Sequence, residues 1–169
     1  MDTEHLSDHV TLREAIASTD RPDLIPANAR YAEANAAVMR NARMVALFLV
    51  EEILLGMGIA LRKSLAVKVL SFIRCPELNK AVGGREASQH QRGAAADFTL
   101  FERETKGHPT VDPVTVFRWI IQESGLSFHE CYYDAREHFI HIGLPTGKGD
   151  LNWWWVDKAG TRHVRELPQ

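Results

Sequence analysis

His90, Asp97 and His141 are the residues whose types and setting could do chemistry together. Asp97 follows a run of small residues in "HQRGAAADF", and His141 lies inside "HFIHIG"; the other six of the eight histidines have no such partners. Two imidazoles and one carboxylate, with a fourth position open, form the donor set of a catalytic zinc site. Zinc in such a site lowers the pKa of a bound water toward about 7 and polarises a carbonyl. The same residues also have a structural reading: an aspartate at a strand end or turn, and a hydrogen-bonded strand histidine. Residue type and spacing leave both open.

For the three to meet, two strands must carry them. "AAADFTLF" (94–101) reads as a strand in which Ala95 and Asp97 share one face and Phe98 takes the other. Gly93 permits a turn that brings His90 back over the Asp97 face. In "HFIHIG" the same alternation puts Phe139, His141 and Gly143 on one face, with Ile140 and Ile142 turned to the core. Pairing of these strands could converge His90, Asp97 and His141 on one ion.

Other segments supply the scaffold. Thr11 with Glu14 is a capping-box pattern for a short helix, and Pro22 to Pro26 reads as a loop. From about Ala29 to Leu55, Val38, Ala42, Val45, Leu49 and Ile53 recur at helical spacing, so a long amphipathic helix is expected, stopped by Gly56 to Gly58. Leu65 to Ile73 reads as a strand, and "CPELNKAVGG" as a helical turn ended by Gly83 and Gly84. Asp112 and Pro113 open a helix that buries Val116, Trp119 and Ile120 and ends at Gly125. "FHECYYD" and "HFIHIGL" read as a hairpin with about three residues between strands, and "DLNWWWVDKAGTRHVREL" as a last hairpin turning near Lys158 to Gly160. "GKG" (147–149) is a loop without a phosphate-binding pattern. The class expected is α+β: a small antiparallel sheet carrying the site, packed against N-terminal and middle helices. A single domain over 1–169 is expected, with 1–10 loosely attached and 150–169 forming the C-terminal hairpin.

Composition narrows the partners. A formal net charge of −2 makes no case for nucleic acid. Cys75 and Cys131 form neither a CxxC pair nor a disulfide framework. Glu51 and Glu52 interrupt the longest apolar stretch, so no membrane span is expected. The polar, acidic "MDTEHLSDHV" is no secretory signal, which implies synthesis in the cytoplasm. A monomer without nucleic-acid or membrane partners is the expectation.

"SQHQRGAAADF" resembles the SxHxxGxAxD motif of the zinc D-Ala-D-Ala carboxypeptidase and L-alanyl-D-glutamate endopeptidase family, the cell-wall peptidases of the Hedgehog/DD-peptidase fold. Ser88, His90, Gly93, Ala95 and Asp97 occupy all five motif positions. "PELNKAVGG" is similar to the family's SPxLNxxVGG run, and "FIHIG" resembles its WVHIS strand with Phe139 for the tryptophan. The resemblance spans roughly Leu12 to Leu144. It implies that His90, Asp97 and His141 hold one Zn2+ per chain and that Arg74 and Ser88 lie on the substrate side. Arg74 takes the place of the arginine ending SGYR, where it would bind a substrate carboxylate or polarise its carbonyl. "LSFIR" departs from SSGYR: Phe72 stands for the usual glycine and Ile73 for tyrosine.

Many relatives carry an acidic residue three positions before the last histidine ligand; here that position is His138. Glu137 and His138 therefore compete to handle the proton, followed by Asp134 and then Glu130. Four residues of straight strand span about 13 Å, so Glu137 needs a turn or bulge to reach the site. A two-residue hairpin turn would set Glu130 opposite His141, and a three-residue turn Cys131. Trp153 and Trp155 face one way and Trp154 the other, either packing core and edge or offering a sugar-stacking surface. The family resemblance implies a zinc metallopeptidase that cuts the D-Ala-D-Ala or L-Ala-D-Glu bond of peptidoglycan through a zinc-activated water. A short version without an export signal resembles a phage or prophage endolysin, released at lysis. The alternative is a non-catalytic, zinc-stabilised cell-wall-binding or phage structural module.

Overall fold

Two strands carry the candidate site, and the sheet grows outward from them. The structure, a computed structural model, describes residues 4–147 and 151–168. The strands are β1 (Leu65–Ser71), β2 (Ala95–Glu102), β3 (Glu130–Asp134), β4 (Phe139–Gly143), β5 (Asn152–Val156) and β6 (Arg162–Val164). They form one sheet in the order β1-β2-β4-β3-β5-β6, with helices packed on it, an α+β architecture as expected. Lys148 and Gly149 of the "GKG" loop lie outside the described residues.

Alternation sets the two faces. Ala96, Phe98, Leu100, Cys131, Tyr133, Ile140 and Ile142 join the helices in one buried core. Ala95, Asp97 and His141 take the opposite face, in the register Ala95↔Gly143 and Asp97↔His141. The sheet is not antiparallel throughout, because β3 and β5 run parallel. β4 ends beside the start of β3. A strand laid on β3's free edge from that end has to run along β3 rather than against it.

Helical boundaries differ from the expected ones for local reasons. Pro22 opens a 3-10 turn and Pro26 lies in the first turn of the helix Ile25–Ala34, where a missing N–H costs nothing. Asn35, at φ −122° and ψ 86°, separates that helix from the next. The following helix, Ala36–Leu61, is long and apolar enough to cross a membrane by length and composition, so the two glutamates do not disrupt it as expected. Val38, Ala42, Val45, Leu49 and Ile53 are buried along it, as their spacing predicts, while Met44, Leu47, Phe48, Leu55 and Ile59 are exposed. Glu51 is buried and accepts from both the backbone N–H and Nδ1 of His9, each at 2.8 Å. The N-terminal segment from residue 4 is thus fastened down rather than loose, with Leu6 and Val10 in the core.

Gly56 and Gly58 do not stop this helix; Arg62, in the left-handed region at φ 55°, does. Gly56 answers a packing demand instead. A Cβ there would lie 2.3 Å from Cη2 of Trp119, which is half-buried, whereas Phe117 takes the fully buried place on the helix Pro113–Gln122. Gly56→Ala is expected to lower stability by about 1–3 kcal/mol through overpacking, despite a helix-propensity gain of roughly 1 kcal/mol. Thermal unfolding of the variant measures the sign; a raised Tm would show that the Trp119 contact yields freely.

The β3–β4 turn has four residues, 135–138, because Asp134 pairs with Phe139. Asp134 builds that turn: its carboxylate accepts from Arg136 N at 2.9 Å and Arg136 Nε at 3.0 Å. His138, at φ 55°, brings the chain into β4.

Candidate metal centre

His90 is delivered by a short 3-10 turn, Gln89–Arg92, closed by Gly93 at φ +63°. A Cβ on Gly93 would approach Val38 O to 2.4 Å, so backbone conformation and close packing both call for glycine. His90 Nδ1 lies 2.8 Å from Phe72 O. Donation to that carbonyl fixes the tautomer and leaves the Nε2 lone pair free, 3.3 Å from Asp97 Oδ2. Asp97 Oδ1 is 2.6 Å from His141 Nδ1. One donor atom from each of His90, Asp97 and His141 falls within 4.8 Å of the others, and all three side chains are buried.

Electrostatics favour a cation among them. Burial pushes the Asp97 carboxyl up, but the two histidines outweigh it and hold the group ionised, far below the usual range. Burial drives His90 down, toward the neutral form that can ligate. Burial also pushes His141 down, yet the carboxylates of Asp97 and Glu130 raise it to about 9. The proton stabilised there marks a place where a metal ion can do the same work. His141 Nε2, on the far side of the ring from Asp97, has Glu130 Oε1 as its neighbour at 3.4 Å, which leaves Nδ1 directed at the other donors. The set of two imidazoles and one carboxylate fits zinc.

Arg74, the substrate-side arginine implied by the resemblance, lies against the donor set. Its Nη2 donates to Asp97 Oδ2 at 2.9 Å, its Nε to Ser71 Oγ at 2.6 Å, and its backbone N–H to His90 O at 3.1 Å. It braces two of the three donors and also lines a small cavity with Ser71, Leu78 and Val82. Ser88 is half-buried and opens the His90 turn, its carbonyl accepting from Gln91 N at 3.2 Å. Phe72 and Ile73 are fully buried, so the departure from SSGYR falls in the core.

Of the four candidates for the proton, Glu130 is nearest the centre. Its Oε1 lies 3.4 Å from His141 Nε2. The four-residue turn pairs Tyr132 with His141, which makes Glu130, two residues earlier, a diagonal neighbour on the same face. Glu137 and His138 are exposed in the turn, and Asp134 is engaged with Arg136. Contact with the donor set thus singles out Glu130, which stands last in the order drawn from sequence. "DAR" held the missing signal, since an aspartate two residues before a turn amide is a turn-former.

Sequence reading also passed over Tyr132. Its ring stacks on His141 with centroids 4.5 Å apart, and Trp154 stacks on Tyr132 at 4.9 Å. Arg162 Cζ then lies 4.0 Å from the Trp154 ring centroid. A row of planar groups thus crosses the sheet from β4 to β6. Trp153 packs on Phe117, on the core side, and Trp155 on His163.

Residues 60–142 of the chain match the Peptidase M15 family. No curated protein matches. The matched segment contains His90, Asp97 and His141 together with Arg74 and Glu130, and it ends before β5. M15 peptidases are zinc enzymes, so the match and the buried donor set both support a zinc peptidase.

Proposed function

We propose that the protein is a zinc metallopeptidase that hydrolyses a peptide bond in peptidoglycan stem or cross-link peptides, of the D-Ala-D-Ala or L-Ala-D-Glu type. The observation that carries this reading is the convergence of the His90, Asp97 and His141 donors within 4.8 Å, inside a segment that matches a peptidase family. These three residues would hold one Zn2+, which when bound acidifies a water and polarises the scissile carbonyl.

The chain's own residues do the rest. Phe72 O orients His90, Arg74 steadies Asp97, and Tyr132 stacks on the His141 ring, so each donor has an outer partner that fixes it. Glu130 is the general base. Its side chain remains 28% exposed beside His141, so it can take a proton from the attacking water and pass it to the leaving amine. The carbonyl carbon gains a C–O bond and loses its C–N bond. Action as a monomer on the bacterial wall, after release in a phage or prophage setting, accompanies this substrate; no nucleic-acid or membrane partner is invoked.

Purified protein should contain about one zinc per chain and release new amino groups from purified peptidoglycan, with activity lost to chelator and restored by zinc. Product masses would identify the bond. Bound zinc with no amino groups released would favour the non-catalytic wall-binding module. Glu130 weakens that alternative by supplying the acidic group that position 138 lacks.

A further inference from the structure

The β5–β6 hairpin lies beyond the matched segment, yet it extends the face that carries the metal centre. Between them is a cleft of about 240 Å³ lined by Arg85, Glu130, Asn152, Trp154, Arg162 and Arg165, among others. Three guanidiniums thus face one carboxylate, in a chain whose formal net charge is −2. Among the described residues, none of the three is ion-paired with a carboxylate. Arg162 is held over Trp154, which is itself fixed by stacking on Tyr132. A guanidinium pinned by its flat face keeps its N–H edge free for bidentate contact with a carboxylate. The volume is below the roughly 300–1,000 Å³ of sites that enclose whole drug-sized ligands, so it suits one residue of a longer ligand.

We propose that this cleft is a subsite for an acidic residue of the substrate peptide. Trp154 is two strands away from His141, a separation of about 10 Å that an extended peptide covers in about three residues. The acidic side chain therefore sits about three residues from the scissile bond, its carboxylate between Arg162, Arg165 and Arg85. Recognition of a peptide rests on the peptidase reading; capture of the anion does not require cleavage.

The test uses two peptides of one sequence, with glutamate or glutamine three positions from a central amide that is N-methylated to prevent cleavage. Calorimetry with zinc-loaded protein should give roughly tenfold or more tighter binding of the glutamate peptide. In Arg162→Ala/Arg165→Ala the two affinities should become nearly equal, and Arg162→Lys should keep part of the preference. If the double variant does not fold, Arg85→Ala, which leaves the hairpin intact, must reduce the preference in its place. Equal affinities in the wild type, or a preference that survives these substitutions, overturn the subsite. Cleavage of the unmethylated glutamine peptide, followed in parallel, reports on the peptidase reading separately. A glutamate preference that collapses in the variants upholds the subsite even where no peptide is cut.

Discussion

Glu130→Gln is expected to lower kcat on peptidoglycan peptides by about 10²- to 10⁴-fold while zinc stays at about one ion per chain. Glutamine has the shape of glutamate and can occupy the same position beside His141 Nε2, 3.4 Å away, but it cannot take a proton at neutral pH. The chemical step should suffer, so kcat falls without a matching loss of peptide affinity. Glu137→Gln and His138→Gln, whose side chains are exposed in the turn, should alter kcat by no more than about twofold. Single-turnover rates and elemental zinc analysis on the three variants distinguish the outcomes. Loss of zinc from Glu130→Gln would make Glu130 a ligand instead of a base. Full activity there, with loss at Glu137 or His138, would return the proton to the turn.

The donor set was legible because its geometry is local. Alternation within "AAADF" and "HFIHIG" decides which side chains share a face, and Gly93 decides how His90 returns. The contact of Glu130 with His141 was not legible because it depends on one turn. Asp134 spends its carboxylate on the turn amides, the hairpin gains a residue, and the partner of His141 becomes Tyr132. Glu130 then approaches diagonally, Glu137 and His138 turn to solvent, and Asp134 stays buried against Arg136. Longer-range contacts were further out of reach. Gly56 reads as a helix stop until Trp119 is set against it. The bond of Arg74 to Asp97, 23 positions along the chain, has no local signal at all. The row from His141 to Arg162 exists only because β5 lies parallel on β3, a pairing that alternation within one strand cannot reveal.

Asp97→Asn is expected to abolish zinc binding and activity together and also to destabilise the metal-free protein. The carboxylate meets three groups at once: Arg74 Nη2 at 2.9 Å, His141 Nδ1 at 2.6 Å and His90 Nε2 at 3.3 Å. As a ligand, its loss should weaken zinc binding by more than the roughly 10- to 100-fold typical of outer partners. As the counter-charge of Arg74, whose side chain is 18% exposed, its loss should cost about 2–4 kcal/mol, somewhat less than a fully buried pair. Melting curves with and without chelator separate the two effects. Chelator should lower the wild-type Tm, because zinc binds the native state, and should leave the variant unmoved at a lower Tm. A variant that still binds one zinc and still responds to chelator would remove Asp97 from the ligand set. Adding Arg74→Met should restore part of the lost stability, since no unpaired cation is then left against the histidines. It should restore no zinc, because only the carboxylate serves both the ion and the arginine.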